Sequence, residues 1–190
     1  YGGTALNFIR VDGLRLRHLT VANADAFYIR LCRVEDFDLR AIRLFSTLPK
    51  INQDGVHLNG HCRRGVISDL RAMAPMSPGD DMVALNADDG WDRHLNYRME
   101  PGPIEDIAIS DLTAESAYPF IRLLSQTQPI RRIRIAGLHG GVRCNLLNVG
   151  KWRFPPGLGD IADISISDVD AHKMPAAVGD PAINPLPLCL

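Results

Sequence analysis

The sequence predicts an all-β fold, namely a right-handed parallel β-helix solenoid of about six coils. One short pattern of alternating apolar residues recurs six times along the chain. Most of these repeats contain a second short strand, and none contains a convincing helix. Short strands that recur at one coil's length stack in parallel, and their inward side chains form a continuous ladder. A β-sandwich is the alternative, but Asn-Gly hairpin turns are scarce in this sequence.

The first strand of each repeat alternates apolar and polar residues, continues with a polar or small pair, and ends on another apolar residue. The six segments are 14–19, 37–42, 65–70, 107–112, 133–138 and 164–169. Alternation over four to six residues is typical of a strand with one buried face. We therefore expect these six segments to pair with one another.

The second strand of each repeat is shorter and lies between two of these segments. The predicted second strands are 27–31, 56–58, 82–85, 120–124 and 142–147. The coils are predicted to occupy residues 1–174, with an inserted polar loop at 86–103. Within this loop we expect Asp88 and Asp89 to be solvated turn residues. Insertions in solenoids emerge from one face, which is often the binding face. The proline-rich tail at 175–190 is not expected to form strands.

Composition and charge exclude several classes of protein. The 21 Lys and Arg balance 22 Asp and Glu, so the overall charge predicts no nucleic-acid or membrane partner. No apolar run is long enough to span a bilayer. The cysteines lack metal-ligand spacing, and we expect buried free thiols, no metal and no cofactor. They are Cys32, Cys62, Cys144 and Cys189.

Acidic residues precede three of the second strands. Alignment of the strands by their apolar residues stacks Asp25, Asp54 and Asp81, with Asp80 on the same edge. Neighbouring strands lie about 4.8 Å apart. Carboxylates at that distance repel one another, which raises the pKa of at least one and couples their titrations. The pattern therefore predicts a general acid beside a general base.

The same alignment predicts a row of outward-facing side chains that forms the floor of a groove. Down the stack this row reads Tyr28, His57, Ala84 and Arg122. A tyrosine suits a sugar ring, and an arginine suits an acidic substituent because its guanidinium binds a carboxylate through two parallel hydrogen bonds. We assign Tyr28, His57 and Arg122, together with Asn52, as candidate substrate-binding residues. The alternative is that they are surface residues and that each Asp only caps a turn.

Two short motifs resemble those of a known family. Asn52-Gln53-Asp54 and Gly79-Asp80-Asp81 are similar to the N-x-D and G-D-D motifs of polygalacturonase-like glycoside hydrolases, family 28, in the pectate-lyase-like β-helix superfamily. The resemblance implies inverting hydrolysis of a glycosidic bond. It makes Asp80 the general acid and lets Asp54 and Asp81 activate water.

The resemblance also bears on substrate and location. The family's Arg-Ile-Lys strand is similar to residues 121–124, which keep the arginine as Arg122 but have Leu124 in place of the lysine. The family's G-H-G motif has no counterpart on the coil after Asp81. These departures imply a divergent enzyme that acts on another poly- or oligosaccharide. The resemblance further implies a secreted or periplasmic protein.

Two other functions remain open at this stage. A polysaccharide lyase would hold Ca²⁺ on the acids, and a non-catalytic carbohydrate-binding or adhesin β-helix would need no acid–base chemistry. The start of the chain shows no capping element, and an open coil edge exposes unpaired backbone groups. We therefore expect missing N-terminal coils or edge-to-edge self-association.

Overall fold

The computed structural model describes residues 3–75, 77–150 and 159–174. These residues form an all-β parallel solenoid of about six turns. The one helical element among them is a short 3-10 helix at His94–Asn96. The predicted tail at 175–190, with Cys189, lies outside the described residues. No helix in the described ranges is long and apolar enough to cross a membrane.

Eleven strands build the coils within these described ranges. They are β1 (Leu6–Asp12), β2 (Arg15–Ala22), β3 (Ile29–Phe45), β4 (Val56–Asn59), β5 (Cys62–Ala72), β6 (Val83–Asn86), β7 (Ile104–Ala117), β8 (Ile121–Leu124), β9 (Ile130–Val142), β10 (Leu147–Gly150) and β11 (Ile161–Lys173). The strand predicted at 142–147 is therefore misplaced, because β9 ends at Val142 and β10 begins at Leu147.

The strands stack in two parallel series that share β3. The long series runs β2, β3, β5, β7, β9 and β11, and the short series runs β10, β8, β6, β4 and β3. β1 adds to the same part of β3 as β4 does, on the other side. Every pair is parallel, which is the arrangement that repeated coils require.

The register of the long series confirms the alignment of the six sequence segments. Leu39 pairs with Leu16 on one side and Ile67 on the other, and the column continues through Ile109 and Ile135. Leu39, Ile67, Ile109 and Ile135 are at most 2% exposed. Stacked apolar columns of this kind form the core, and they fix the register because a slip of one residue would expose them.

A left-handed residue explains the polar or small pair in each repeat. The fifth position of the six segments has a φ between 49° and 69°. The residues there are His18, Ala41, Asp69, Asp111, Gly137 and Asp168. Glycine, aspartate and histidine enter this region more readily than most residues do. The repeat therefore encodes a bend of the coil as well as a strand.

A second bend carries charges that alternate from coil to coil, and we call this surface the charge ladder. It consists of Glu35 and Asp36, Arg63 and Arg64, Glu105 and Asp106, and Arg131 and Arg132. Arg64 Nε lies 2.8 Å from Asp36 Oδ1, and Arg132 Nε lies 2.6 Å from Asp106 Oδ1. These four side chains are about half exposed.

The inserted loop packs onto the solenoid. The Asp88 carboxylate accepts hydrogen bonds from the backbone N–H groups of Gln126, Thr127 and Gln128 at 2.6–3.0 Å. Asp88 is 9% exposed and Asp89 is 3% exposed. The prediction that these two are solvated turn residues is wrong, because both anchor the loop to the following turn.

The described cysteines follow the sequence prediction. Cys32, Cys62 and Cys144 are buried and free. Burial raises the pKa of Cys62 to about 12, which makes it an unreactive core thiol.

Candidate acid–base site

Three carboxylates meet where the short strands begin. Val56 pairs with Val83, and therefore Asp54 and Asp81, each two residues earlier, lie one rung apart. One oxygen from each of Asp54, Asp80 and Asp81 lies within 4.8 Å of the others. Asp54 and Asp81 are 3% and 4% exposed, whereas Asp80 is partly exposed. The predicted clustering of these three acids is confirmed.

Two glycines allow the coils to approach closely at this point. A Cβ atom on Gly79 would lie 2.2 Å from the Lys50 carbonyl oxygen, and one on Gly55 would lie 2.5 Å from the Met82 carbonyl oxygen. Neither approach leaves room for a side chain, because real Cβ atoms essentially never come within 3.0 Å. The glycines beside Asp54 and Asp80 are therefore required by backbone packing.

Asn52 holds Asp80 from the neighbouring coil. The backbone N–H of Asn52 donates to Asp80 Oδ2 at 2.9 Å, and its side-chain oxygen accepts from Arg93 Nη2 at 3.3 Å. Asn52 has a φ of 59°, a conformation that asparagine tolerates better than most residues. The residue predicted to bind substrate thus orients one acid and contacts the inserted loop.

Arg122 supplies positive charge beneath the acids. Its Nε atom lies 3.3 Å from Asp81 Oδ1, and both residues are buried. Two further carboxylates, those of Asp54 and Asp80, also raise the pKa of Arg122 against the opposing effect of burial. The cluster therefore carries three acids for one buried arginine, and excess negative charge favours retention of protons.

Burial is the largest cause of the shifts within the cluster. It raises the pKa of Asp54 well above the ordinary value, and the charge of Asp80 adds to the effect. Burial also raises the pKa of Asp81; Arg122 opposes this rise, and the neighbouring Asp80 and Asp54 add to it. Repulsion between the acids, the cause predicted from sequence, is therefore real but second to desolvation.

His57 contacts Asp54 directly. Its Nδ1 atom lies 2.6 Å from Asp54 Oδ2, and its ring stacks on Phe27 with the centroids 4.3 Å apart. Burial lowers the pKa of His57 to about 3, so the imidazole is neutral near pH 7. The histidine predicted to bind substrate is thus a direct neighbour of one of the acids.

The predicted position of Tyr28 is wrong. Ile29 pairs with Val56, so His57 stands beside Arg30, and the outward row reads Arg30, His57, Ala84 and Arg122. Tyr28 is fully buried and belongs to the core. Asp25 is displaced from the acidic stack by the same two residues, and its carboxylate pairs with Lys50 at the surface.

Tyr118 is a neighbour of the cluster that the sequence alignment missed. It lies three residues before Ile121, as Asp80 lies three residues before Val83, and those two strand residues pair. Burial raises the pKa of Tyr118 to about 12, and the charge of Asp80 contributes in the same direction. Backward extension of the β8 alignment by three residues would have found it.

The arrangement fits acid–base chemistry better than a cation site. Three carboxylates this close could surround a divalent ion. However, Arg122 already pairs with Asp81, and its positive charge opposes a cation there. Burial instead raises the pKa of Asp54 and Asp81, and proton-holding carboxyls beside a partly exposed acid are compatible with general acid–base chemistry.

Comparisons of the chain with protein-family models, with curated proteins and with solved structures find no match. The fold and the geometry of the site therefore define the class of protein, a parallel β-solenoid with a buried aspartate cluster.

Proposed function

We propose that this chain is a divergent glycoside hydrolase whose aspartate cluster cleaves a glycosidic bond. The observation that carries the proposal is the meeting of Asp54, Asp80 and Asp81 within 4.8 Å on adjacent coils. Parallel solenoids present extended surfaces of stacked strands, which suit a polymeric substrate. The N-x-D and G-D-D motifs add the resemblance to polygalacturonase-like enzymes.

Asp80 protonates the departing oxygen in this mechanism. It is the most exposed of the three acids, so a substrate reaches it first. One oxygen of Asp80 lies within 4.8 Å of one oxygen of Asp81, so the two carboxyls are close neighbours. Asp54 then takes the proton of the attacking water, and Asp81 helps to position that water.

Two lines of argument bear on whether hydrolysis inverts or retains the anomeric configuration, and they disagree. The family resemblance implies inversion, for which carboxyl groups typically lie about 6.5 to 9.5 Å apart. The oxygens of this cluster lie within 4.8 Å of one another, close to the roughly 5 Å typical of retention. We take inversion as the proposal, and NMR of the first-formed anomer tests it directly.

A glycan panel with a matched pair of variants tests the hydrolase proposal. Asp80→Asn should lower the release of reducing ends by about 10² to 10⁴-fold because an amide does not supply the acidic proton. Asp111→Asn, a change at an exposed bend away from the cluster, should leave the rate unchanged. The melting temperature of both variants should stay near that of the wild type.

Three outcomes would contradict the proposal. Full activity of Asp80→Asn would remove Asp80 from the mechanism. Unsaturated products would identify a lyase. Binding without any cleavage across acidic and neutral glycans would indicate a carbohydrate-binding solenoid.

A further inference from the structure

A buried chain of hydrogen bonds connects the inserted loop to Asp54. It runs from the backbone carbonyl of Gly90 through Asn96 and Asn59 to His57, and then to Asp54. Asn59 is fully buried, and Asn96 and His57 are each 6% exposed. Polar side chains buried to this degree are normally held in one orientation by their partners.

The direction of the chain is set at the Gly90 carbonyl. A carbonyl oxygen only accepts, so Asn96 Nδ2 donates to it at 2.9 Å. The Asn96 amide is thereby oriented with Oδ1 toward Asn59, and Asn59 Nδ2 donates to it at 3.2 Å. The reversed Asn59 amide would place two carbonyl oxygens against each other.

The second hydrogen on Asn59 Nδ2 faces the imidazole. Asn59 Nδ2 lies 3.4 Å from His57 Nε2, the longest contact in the chain. Nε2 must accept this hydrogen bond, so in a neutral ring the proton resides on Nδ1. Nδ1 then donates to Asp54 Oδ2 at 2.6 Å.

We propose that this relay fixes the Nδ1–H tautomer of His57 and makes it the positioning residue that stabilises the Asp54 carboxylate as a base. The role as a base rests on the proposed function, whereas the tautomer rests only on the hydrogen-bond chain. His57 acts through Asp54 and contacts no substrate in this scheme. The inserted loop thereby controls the acid–base state of the cluster from outside it.

The relay opposes several other influences on Asp54 and His57. Burial and the Asp80 carboxylate favour protonated Asp54, while Arg122 and Arg93 favour its ionised form. His57 is flanked by Arg30 on β3 and by the stacked Phe27 ring. Asp81 lies one rung from Asp54, and its charge also bears on the cluster. A hydrogen bond from the neutral His57 imidazole favours ionised Asp54 without adding charge.

Asn59 provides a second sign that orientation matters here. Within the described part of the chain, its Oδ1 atom is buried without a hydrogen-bond partner. A buried acceptor left in this way carries the desolvation penalty of a hydrogen bond that is not made. Both Asn59 hydrogens nevertheless face Asn96 and His57, so the orientation that serves the relay is kept at that cost.

Nitrogen-15 NMR of the full chain tests the tautomer without any substrate. His57 is the one buried histidine among the six, so its signal should not titrate between pH 5 and 8 and should vanish in His57→Asn. We expect a protonated Nδ1 and an unprotonated Nε2. In Asn59→Leu the tautomer should shift toward Nε2–H, whereas His139→Asn, on an exposed strand position, should leave it unchanged.

Carboxyl carbon-13 NMR measures the consequence for Asp54. His57→Leu removes the donor and should raise the Asp54 pKa, whereas His57→Asn keeps an N–H close to the Nδ1 position and should restore a value near the wild type. The acid limb of the pH–rate profile should move in parallel if the hydrolase proposal holds. An Nε2–H tautomer in the wild type, or the same Asp54 pKa in all three proteins, overturns the relay. Normal NMR results without cleavage of any glycan would overturn only the proposed function.

Discussion

The charge ladder and the aspartate cluster stack acidic side chains at the same rung spacing. The acids of the ladder lie beside basic residues, whereas those of the cluster lie beside other acids. In the ladder, each acidic pair has a basic pair on the adjacent coil, and all side chains except that of Glu105 are 39–51% exposed. In the cluster, acid lies against acid, and two of the three are buried. The same rung spacing therefore pairs opposite charges in the ladder and brings like charges together in the cluster.

The difference fits a structural role for the ladder and the proposed catalytic role for the cluster. Exposed ion pairs contribute little each but disfavour misaligned coils, because a shifted coil would place like charges together. Buried like charges lower stability and gain nothing for the fold. Perturbed carboxylates of this kind are typical of functional sites, although structural networks can also produce them.

The largest expected difference between the two regions comes from removal of one arginine in each. Arg122→Met should lower the free energy of unfolding by about 3 to 5 kcal/mol near pH 8, because it leaves buried acids without their cation. Arg64→Met in the ladder should cost less than about 1 kcal/mol. Urea denaturation of both variants checks this. Equal losses would mean that burial does not distinguish the two regions.

The pH dependence of stability should have opposite signs in the two regions. The pKa of Asp81 is raised, so above about pH 4 the folded protein keeps a proton that the unfolded chain has released. The contribution of Asp81 to stability is fully present below that pH, and it is lost as the pH rises through the folded-state pKa of Asp81. Asp81→Asn should therefore become more stable relative to wild type as pH rises, by at most about 1.4 kcal/mol per pH unit.

Asp36 in the ladder provides the matched control. Arg64 lowers the pKa of Asp36, so its contribution is present above about pH 4 and is lost as pH falls through the lower folded-state value. Asp36→Asn should differ from wild type most at neutral pH and least in acid. Comparison with wild type at each pH is needed because His57, whose pKa is lowered, makes the stability of every one of these proteins rise with pH on its own account. Parallel curves for the two variants would contradict the prediction.

The smallest expected effect is the salt dependence of the ladder. Arg64→Glu places an acidic side chain between Asp36 and Asp106 on the two adjacent coils and should destabilise the fold by roughly 1 kcal/mol at low salt. The electrostatic screening length falls to about 3 Å at 1 M salt, so most of that loss of stability should disappear. The cost of Arg122→Met should persist in salt because the cluster is buried. Chemical denaturation at two ionic strengths measures both.

The coil pattern and most of the site could be predicted from the sequence. The six repeated segments pair as aligned because each carries the same apolar spacing and the same left-handed bend. Asp54 and Asp81 were placed one rung apart for the same reason. Asn52, His57 and Arg122 also converge on the cluster, although their contacts are with the acids themselves.

The register at the start of β3 was decided only by the tertiary structure. Residues 27–31 alternate apolar and other side chains, and a shift of two residues leaves that alternation unchanged. The sequence pattern therefore fitted Phe27 or Ile29 equally well opposite Val56, and packing selected Ile29. That choice placed Arg30 beside His57 and buried Tyr28.

The sequence by itself determined the repeat, the parallel stacking and the neighbourhood of the acids, because alternation with a fixed bend specifies a coil locally. Tertiary structure alone decided how the inserted loop folds back, since its anchors join residues far apart in the chain, such as Asp88 to Thr127 and Asn96 to Asn59. Polar contacts of this kind have no period, so no pattern in the sequence reports them. The hydrogen-bond relay to Asp54 exists only because the folded loop and two strands bring its members together.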